Sequence, residues 1–429
     1  MDQGQKARHG TLRKALGPGL LMAGAAVGVS HLVQSTRAGA EYGLLLLPVV
    51  LLACLFKYPF LEFGPRYAAA TGENLLVGFR RLGRWALALF AVLTIGTMFI
   101  VLAVVTLVTA GLAGLLLGID ASPANLSAGV LALCIALLAL GNYRGLDLAM
   151  KALMVVMTVS TAVALALALG RAPDLGALGG LNQLPQLATA GGIAFLLALV
   201  GWMPIPVEVA AWHSLWTRER AAQTGHAPTL AEALFDFRLG FLGATLLAAA
   251  FVLLGAGTMY ASGLGFADSA VGFAGQLVEL YARNLGEWSR PVIAAAALST
   301  MFSTTLAVAD AYPRVLAATL AAARRGGQEA GNADPPRRAP YLAAVAVVSG
   351  GALLVLNFAG VQFTRLIDFA TTLSFVAAPL IAWITLRTVT SPWVPAEARP
   401  GPALLALAWV GLVSGALFSL AWIGWQLYG

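Results

Sequence analysis

The sequence predicts an all-α polytopic membrane protein of about eleven spans, and two observations carry that class. The 429-residue chain is 59% hydrophobic and only 10% charged, with a mean hydropathy of +0.84. Soluble proteins carry about 25% charged residues, so this chain has too little charge to cover a surface facing water. Its apolar residues also gather in stretches near the ~20 residues that cross a bilayer. Spans are expected at 15–38, 43–69, 85–117, 126–142, 147–170, 188–216, 236–261, 290–312, 340–357, 364–387 and 402–427.

The first sixteen residues are polar and basic, with Lys6, Arg8, Arg13 and Lys14. No small-residue cleavage site stands out, so the first apolar stretch reads as a retained span. With the N-terminus cytoplasmic, 20 of the 26 basic residues fall on cytoplasmic segments. That asymmetry follows the positive-inside rule, suits an odd number of spans and places the C-terminus outside. An inner (plasma) membrane location is expected. The same asymmetry accounts for the net charge of +7 without nucleic acid. Cys54 and Cys134 lie inside apolar stretches and form neither a disulfide framework nor a zinc signature. Residues 217–235 and 324–340 read as long cytoplasmic loops, the second as a flexible linker. "FAGQLVELYARNLGEW", from Phe273, has helical spacing and reads as a short surface helix on the outer side.

Two spans are interrupted. The sixth contains "LLALVGWMPIPVEVAAWHSLW", with Gly201, Pro204 and Pro206 in its middle. A proline removes a backbone donor and clashes with the preceding turn, so this helix should break. The first contains "GAAVGVSHLVQSTRAG", where Gly24, Gly28 and Ser30 mark a comparable interruption and His31, Gln34 and Ser35 share one face. In lipid, freed backbone groups must be satisfied internally or line a wet cavity. Paired interruptions at corresponding positions point to a secondary transporter with inverted repeats and a midplane site. The expected organisation is one transmembrane domain over 1–429: a five-helix repeat over 1–170, a second over 188–387, and an extra helix at 402–427.

Several stretches resemble the Nramp (natural resistance-associated macrophage protein) family of proton-coupled divalent metal transporters. "GPGLLMAGAAVGVSHLVQSTRAGAEYG" is similar to the family's first helix, "RYAAATGENL" to the end of its second, and "NYRGLDLAMKALMVVM" to its fourth-to-fifth connection. "FDFRLGFLGATLLAAA" resembles the seventh span and "LSTMFSTTLAVADAY" the eighth. The resemblance implies a LeuT-type fold with 5+5 inverted repeats and broken helices 1 and 6. It also shows departures. The family's Asp-Pro-Gly-Asn motif falls on Gly28, Val29, Ser30 and His31, so the coordinating aspartate is absent. The methionine of the family's Met-Pro-His in helix six falls on Ile205 or Pro206, and the third helix has no acidic residue.

One acid follows the break in span six, Glu208. An intramembrane carboxylate is a functional candidate by default. If the two breaks meet, as the fold implies, His31 faces Glu208. Gly28, Ser30, His31, Pro204 and Glu208 are then the candidate metal ligands, and without sulfur they suit harder ions such as Mg²⁺ or Mn²⁺. His31 and Glu208 also read as a proton switch, or as a static hydrogen-bonded pair. His213 and Asp310 complete the proton-pathway candidates, His213 reading equally as a packed core histidine. Glu62–Arg66, Asp310–Arg314 and Arg365–Asp368 have the spacing of pairs along one helix. Lys57, deep in span two, needs a carboxylate, a carbonyl or a route to the interface. Trp85, Trp288 and Trp393 read as interfacial anchors.

The expected function is secondary active transport of divalent metal cations (Mn/Fe/Mg-like) by alternating access, coupled to protons or not. The partners are the lipid bilayer and the transported ion, with no cofactor, no nucleic acid and no obligatory protein partner. Neither a P-loop nor a nucleophile–base constellation occurs, so an enzyme is not expected. A transporter of the same fold for a small organic solute, such as an amino acid or amine, is the alternative. A transport-inactive receptor and a channel fit less well.

Overall fold

A computed structural model describes residues 14–140, 152, 155–156, 158–166, 170, 180–260, 270–325, 338–358 and 363–428. Every regular element among them is helical. The first span is split into α1 (Pro18–Ala26) and α2 (Thr36–Tyr42), joined by a wide π-type turn over Val29–Ser35. α3 (Leu47–Thr71), α4 (Leu75–Leu82), α5 (Arg84–Leu117) and α6 (Pro123–Leu140) follow. The sixth span is split into α7 (Ala190–Trp202) and α8 (Val209–Thr224). Then come α9 (Leu230–Thr258), α10 (Ala270–Leu285), α11 (Arg290–Arg325), α12 (Arg338–Phe358), α13 (Phe363–Val389) and α14 (Pro402–Tyr428).

Among the described residues, eight helical stretches are long and apolar enough to cross a membrane. One is the 54-residue run Pro18–Thr71. At about 1.5 Å per residue it far exceeds a ~30 Å hydrocarbon layer, so it holds two crossings. The turn between them is at Gly43, where φ is 58°, a backbone region open to glycine, followed by a 3-10 turn over Gly43–Leu46. This division matches expected spans one and two. Spans three, four and seven to eleven match single helices. Span six matches the broken pair α7–α8. In span five the described residues, 158–166 among them, are helical, and the remainder of 147–170 lies outside the described residues. So do the linker residues 326–337 and most of "NYRGLDLAMKALMVVM". The surface helix expected near 273–288 is α10.

Two boundaries differ from expectation. α11 continues past expected span eight, 290–312, through Pro313 to Arg325, as the Asp310–Arg314 spacing requires. The residues beyond the proline, "VLAATLAAARR", are strong helix formers, and losing one backbone bond does not outweigh them. α4 is a short amphipathic helix the hydropathy reading passes over; Asn74 starts it by accepting from the amides of Leu76 and Val77 at 3.1 and 3.3 Å.

The breaks are held by close helix crossings, which small residues permit inside membranes. Gly19 of α1 and Gly240 of α9 touch backbone to backbone. A Cβ on Gly19 would lie 2.0 Å from the Asp236 carbonyl oxygen, and one on Gly240 2.0 Å from that of Gly19. Gly39 of α2 and Gly255 of α9 repeat the arrangement against Val252 and Thr36 at 2.0 and 2.2 Å. α9 therefore carries both halves of span one. Asp236 adds a polar anchor: its carboxylate accepts from the amides of Gly17 and Gly19 at 2.9 and 2.6 Å and so caps α1.

Candidate functional site

The first break follows from Gly24, Gly28 and Ser30. The Thr304 hydroxyl donates to the Gly24 carbonyl at 2.9 Å, satisfying an acceptor the break releases. A Cβ on Gly28 would lie 2.5 Å from the Thr304 methyl carbon, so no larger residue fits there. The π-type turn is closed by the Ser35 hydroxyl, which donates to the Ser30 carbonyl at 3.2 Å.

The second break follows from Pro204 and Pro206. α7 stops at Trp202, and α8 restarts with Glu208 at its N-cap. The two breaks meet: the Ser30 hydroxyl oxygen is 3.3 Å from the Pro204 carbonyl. Beside this contact lies a cavity of about 30 Å³ lined by Ser30, Thr304, Pro206, Trp202 and Trp212, among others. That volume is room for about two waters. Its hydroxyls are those of Ser30 and Thr304, and most of its wall is apolar.

His31 is fully buried and turns to α9. Its Nε2–H donates to the Ala244 carbonyl at 2.9 Å, since a carbonyl only accepts. In the neutral ring Nδ1 is then an acceptor; the Ser30 hydroxyl oxygen lies 2.8 Å from it and 2.5 Å from the Ala26 carbonyl, and its one proton serves one of them at a time. Nε2 is thus engaged by α9, and Nδ1 faces Ser30. Glu208 is buried as well and turns to α11, where its Oε1 accepts from the Tyr312 hydroxyl at 2.7 Å. The Tyr312 ring packs edge-on against Trp212, centroids 4.8 Å apart. No hydrogen bond or ion pair joins His31 to Glu208 among the described residues. Their backbones sit at adjoining breaks, but the side chains find partners on different helices. Of the five candidate ligands, Ser30 and Pro204 come together, Gly28 packs on Thr304, and His31 and Glu208 turn to α9 and α11. Among the described residues no group of three or more His, Cys, Asp or Glu gathers closely enough to hold a metal.

The other candidates are placed as follows. His213 is buried with Nε2 3.9 Å from Asp236, beyond hydrogen-bond distance, and packs on Phe237. Asp310 accepts from Arg314 at 2.7 Å, from the Tyr341 hydroxyl at 2.7 Å and from the Trp216 indole at 3.1 Å. Glu62 and Arg66 pair as expected at 2.6 Å. Asp368 does not pair with Arg365; it meets Arg37 of α2 at 3.3 Å, because the helix crossing brings that guanidinium closer. Lys57 takes the carbonyl option. Its Nζ donates to Val200 and Gly201 at 2.7 Å each and to Ile205 at 3.5 Å. Met203, passed over in favour of Ile205 and Pro206, brings its sulfur to 3.8 Å from the Ser35 hydroxyl.

Sequence reasoning missed Tyr312 and Thr304. A signal was present: Thr304, Val308 and Tyr312 recur every fourth residue, so a single helix face presents all three.

A family model described as natural resistance-associated macrophage protein-like (Nramp) matches residues 19–423. The chain belongs to the Nramp family. It is 33% identical over 415 residues to the uncharacterized protein PM0681 of Pasteurella multocida, covering 96% of this chain and 92% of that protein. In fold this Nramp chain is similar to the Eremococcus coleocola manganese transporter crystallised with an aromatic bis-isothiourea compound. That match has a TM-score of 0.69 and 16% identity, and covers 100% of this chain and 90% of the other. It is also similar to Mhp1, a nucleobase-cation-symport-1 family transporter with bromovinylhydantoin bound (TM-score 0.59, 18% identity, 96% and 92% covered). MhsT in complex with L-phenylalanine is a third such structure (0.55, 14%, 94% and 97%). The LeuT-type fold implied by the resemblance is the fold of this Nramp chain.

Proposed function

We propose that this Nramp-family protein is a secondary active transporter that moves a divalent metal cation across the inner membrane by alternating access. The N-terminus lies in the cytoplasm and the C-terminus outside, and residues 1–170 and 188–387 form the two inverted repeats. The observation that carries the reading is the meeting of the two broken spans at Ser30 and Pro204, around a cavity the size of a small ion with a water. An ion there meets oxygen donors: the hydroxyls of Ser30 and Thr304 and water, with the Pro204 carbonyl behind Ser30. Oxygen donors suit hard cations, which favours Mg²⁺ and Mn²⁺ over softer metals. Glu208 is the nearby acid that balances the cation's charge, and it carries a coupling proton when the cation leaves.

A second reading, transport of a small organic solute, is favoured by the apolar cavity wall and by the acid-poor break of span one. Mhp1 and MhsT, which share the fold, hold organic ligands.

The experiment that decides is uptake into proteoliposomes loaded with a metal-sensing dye, offering Mn²⁺, Mg²⁺ and a mixed amino-acid pool. Saturable Mn²⁺ or Mg²⁺ uptake is expected in the native protein. Glu208→Gln is expected to lower it at least ~100-fold, the scale of a lost buried charge interaction of about 3 kcal/mol. Metal flux absent from the native protein, with amino-acid flux present, overturns the metal reading in favour of the second.

A further inference from the structure

The break in span six leaves carbonyls of the last turn of α7 short of their usual helical partners: Val200 keeps only a weak 3.3 Å bond from the Met203 amide. They sit at the negative end of that helix's dipole. Pro204 and Pro206 supply no amide to them. In a membrane such carbonyls need a donor or a cation. Here the donor is Lys57, reaching across from α3. Its ammonium has three hydrogens, and three carbonyl oxygens surround it, those of Val200, Gly201 and Ile205. Two belong to the end of α7 and the third to the break itself, so the ammonium ties the helix end to the crossing segment. No carboxylate is hydrogen-bonded to it among the described residues. Buried lysines ordinarily pair with an acid. This one is held as carbonyl rings hold an alkali ion, by dipoles replacing its hydration.

The lysine also lines a mostly apolar cleft of about 350 Å³ between α3, α7, α13 and α14, with Phe56, Phe60, Leu196, Phe375 and Phe418 in its wall. All three ammonium hydrogens are already used, so an anion in the cleft finds no free donor on Lys57. What the cleft does provide is an apolar approach for an alkyl chain to the carbonyl site.

We propose that Lys57 is a tethered cation whose ammonium fills a carbonyl-lined site for a monovalent alkylammonium-like ion at the broken end of α7. The chain thereby carries its own ion at the break and holds that break together without a free co-ion. The inference does not depend on which solute the transporter moves.

The test is the melting midpoint of the purified full chain in detergent. Lys57→Ala removes the three terminal carbons and the ammonium, and a propylammonium ion replaces those atoms. Lys57→Ala is expected to lower the midpoint by roughly 10 °C, as for an unpaired buried polar group. Propylammonium chloride at tens of millimolar is expected to restore at least half of that loss, with potassium restoring less and choline chloride or propanol nothing. The native protein is expected to respond to none of them. Lys57→Met keeps the stem's volume and drops the charge, so it should melt lower than native and resist rescue. A Lys57→Ala protein whose midpoint is the same with and without propylammonium overturns the proposal. A Lys57→Met protein as stable as native overturns it too, and decides the matter if Lys57→Ala does not fold. Failure of metal uptake in the native protein leaves these midpoints untouched.

Discussion

Asp310→Asn lowers the stability of the folded protein by about 3–5 kcal/mol, the scale of breaking a buried ion pair by removing one partner. Asp310 is fully buried in α11 and serves as the common acceptor for groups on three helices. The Trp216 indole reaches it from α8, the Arg314 guanidinium from its own helix and the Tyr341 hydroxyl from α12. Arg314 also reaches Glu219 of α8 at 2.6 Å and stacks over the Tyr341 ring, 4.9 Å from its centroid. An amide at position 310 offers one acceptor oxygen in place of two and turns an NH₂ towards donors. The guanidinium loses half of its countercharge in a setting where water cannot replace it. Tyr341→Phe removes one neutral hydroxyl and should cost only about 1–2 kcal/mol. Denaturation of purified protein followed by tryptophan fluorescence checks both. Equal midpoints for Asp310→Asn and native would show that Glu219 alone satisfies Arg314. With donors from Arg314, Tyr341 and Trp216, Asp310 ties α8, α11 and α12 together.

The second large effect is expected at Gly39. A Cβ there would lie 2.0 Å from the Val252 carbonyl oxygen and 2.6 Å from the Ala256 nitrogen. Both atoms are backbone, so no side chain can rotate away. Either α2 retreats from α9 or the crossing opens. Overpacking a tight contact costs about 1–3 kcal/mol, and here the displaced elements are whole helices. Gly39→Ala is therefore expected to lower the melting midpoint by several degrees, and Gly39→Val to abolish recovery of monodisperse protein. Gly243→Ala provides the control, because Gly243 lies on α9 and has nothing within 4 Å of the added carbon. That substitution should be neutral or slightly stabilising, by up to about 0.5–1 kcal/mol from helix propensity. Gly39→Ala melting with the native protein would mean the crossing has slack.

The spans were legible because apolar length reports directly on bilayer thickness. The breaks were legible because proline and clustered glycine act locally: Pro204, Pro206 and Gly28 interrupt their helices whatever surrounds them. Glu62–Arg66 was legible for the same reason, as a contact within one helix. What stayed hidden depends on distant chain. Asp368 has a neighbour of suitable spacing in Arg365, yet its partner is Arg37, 331 residues away. Lys57 announced only a need, and the carbonyls that meet it lie beyond position 199. His31 and Glu208 were placed together on the strength of adjoining breaks, but backbone proximity does not set where side chains point. Ala244 and Tyr312 set that, and neither carries a signal readable without the packing.

The contacts of span one with α9 differ in kind from its contacts with α11. Along α9 the backbones themselves abut at Gly240 and Gly255, and His31 bonds a main-chain carbonyl between them. Towards α11 the contact runs through a threonine hydroxyl on the Gly24 carbonyl. Abutting main chains have no torsions to absorb a displacement, whereas a hydroxyl can rotate and change partners. Span one is therefore coupled through its main chain to α9 and through side chains to α11. A displacement of span one would thus be passed directly to α9, while towards α11 a hydroxyl can turn and take it up.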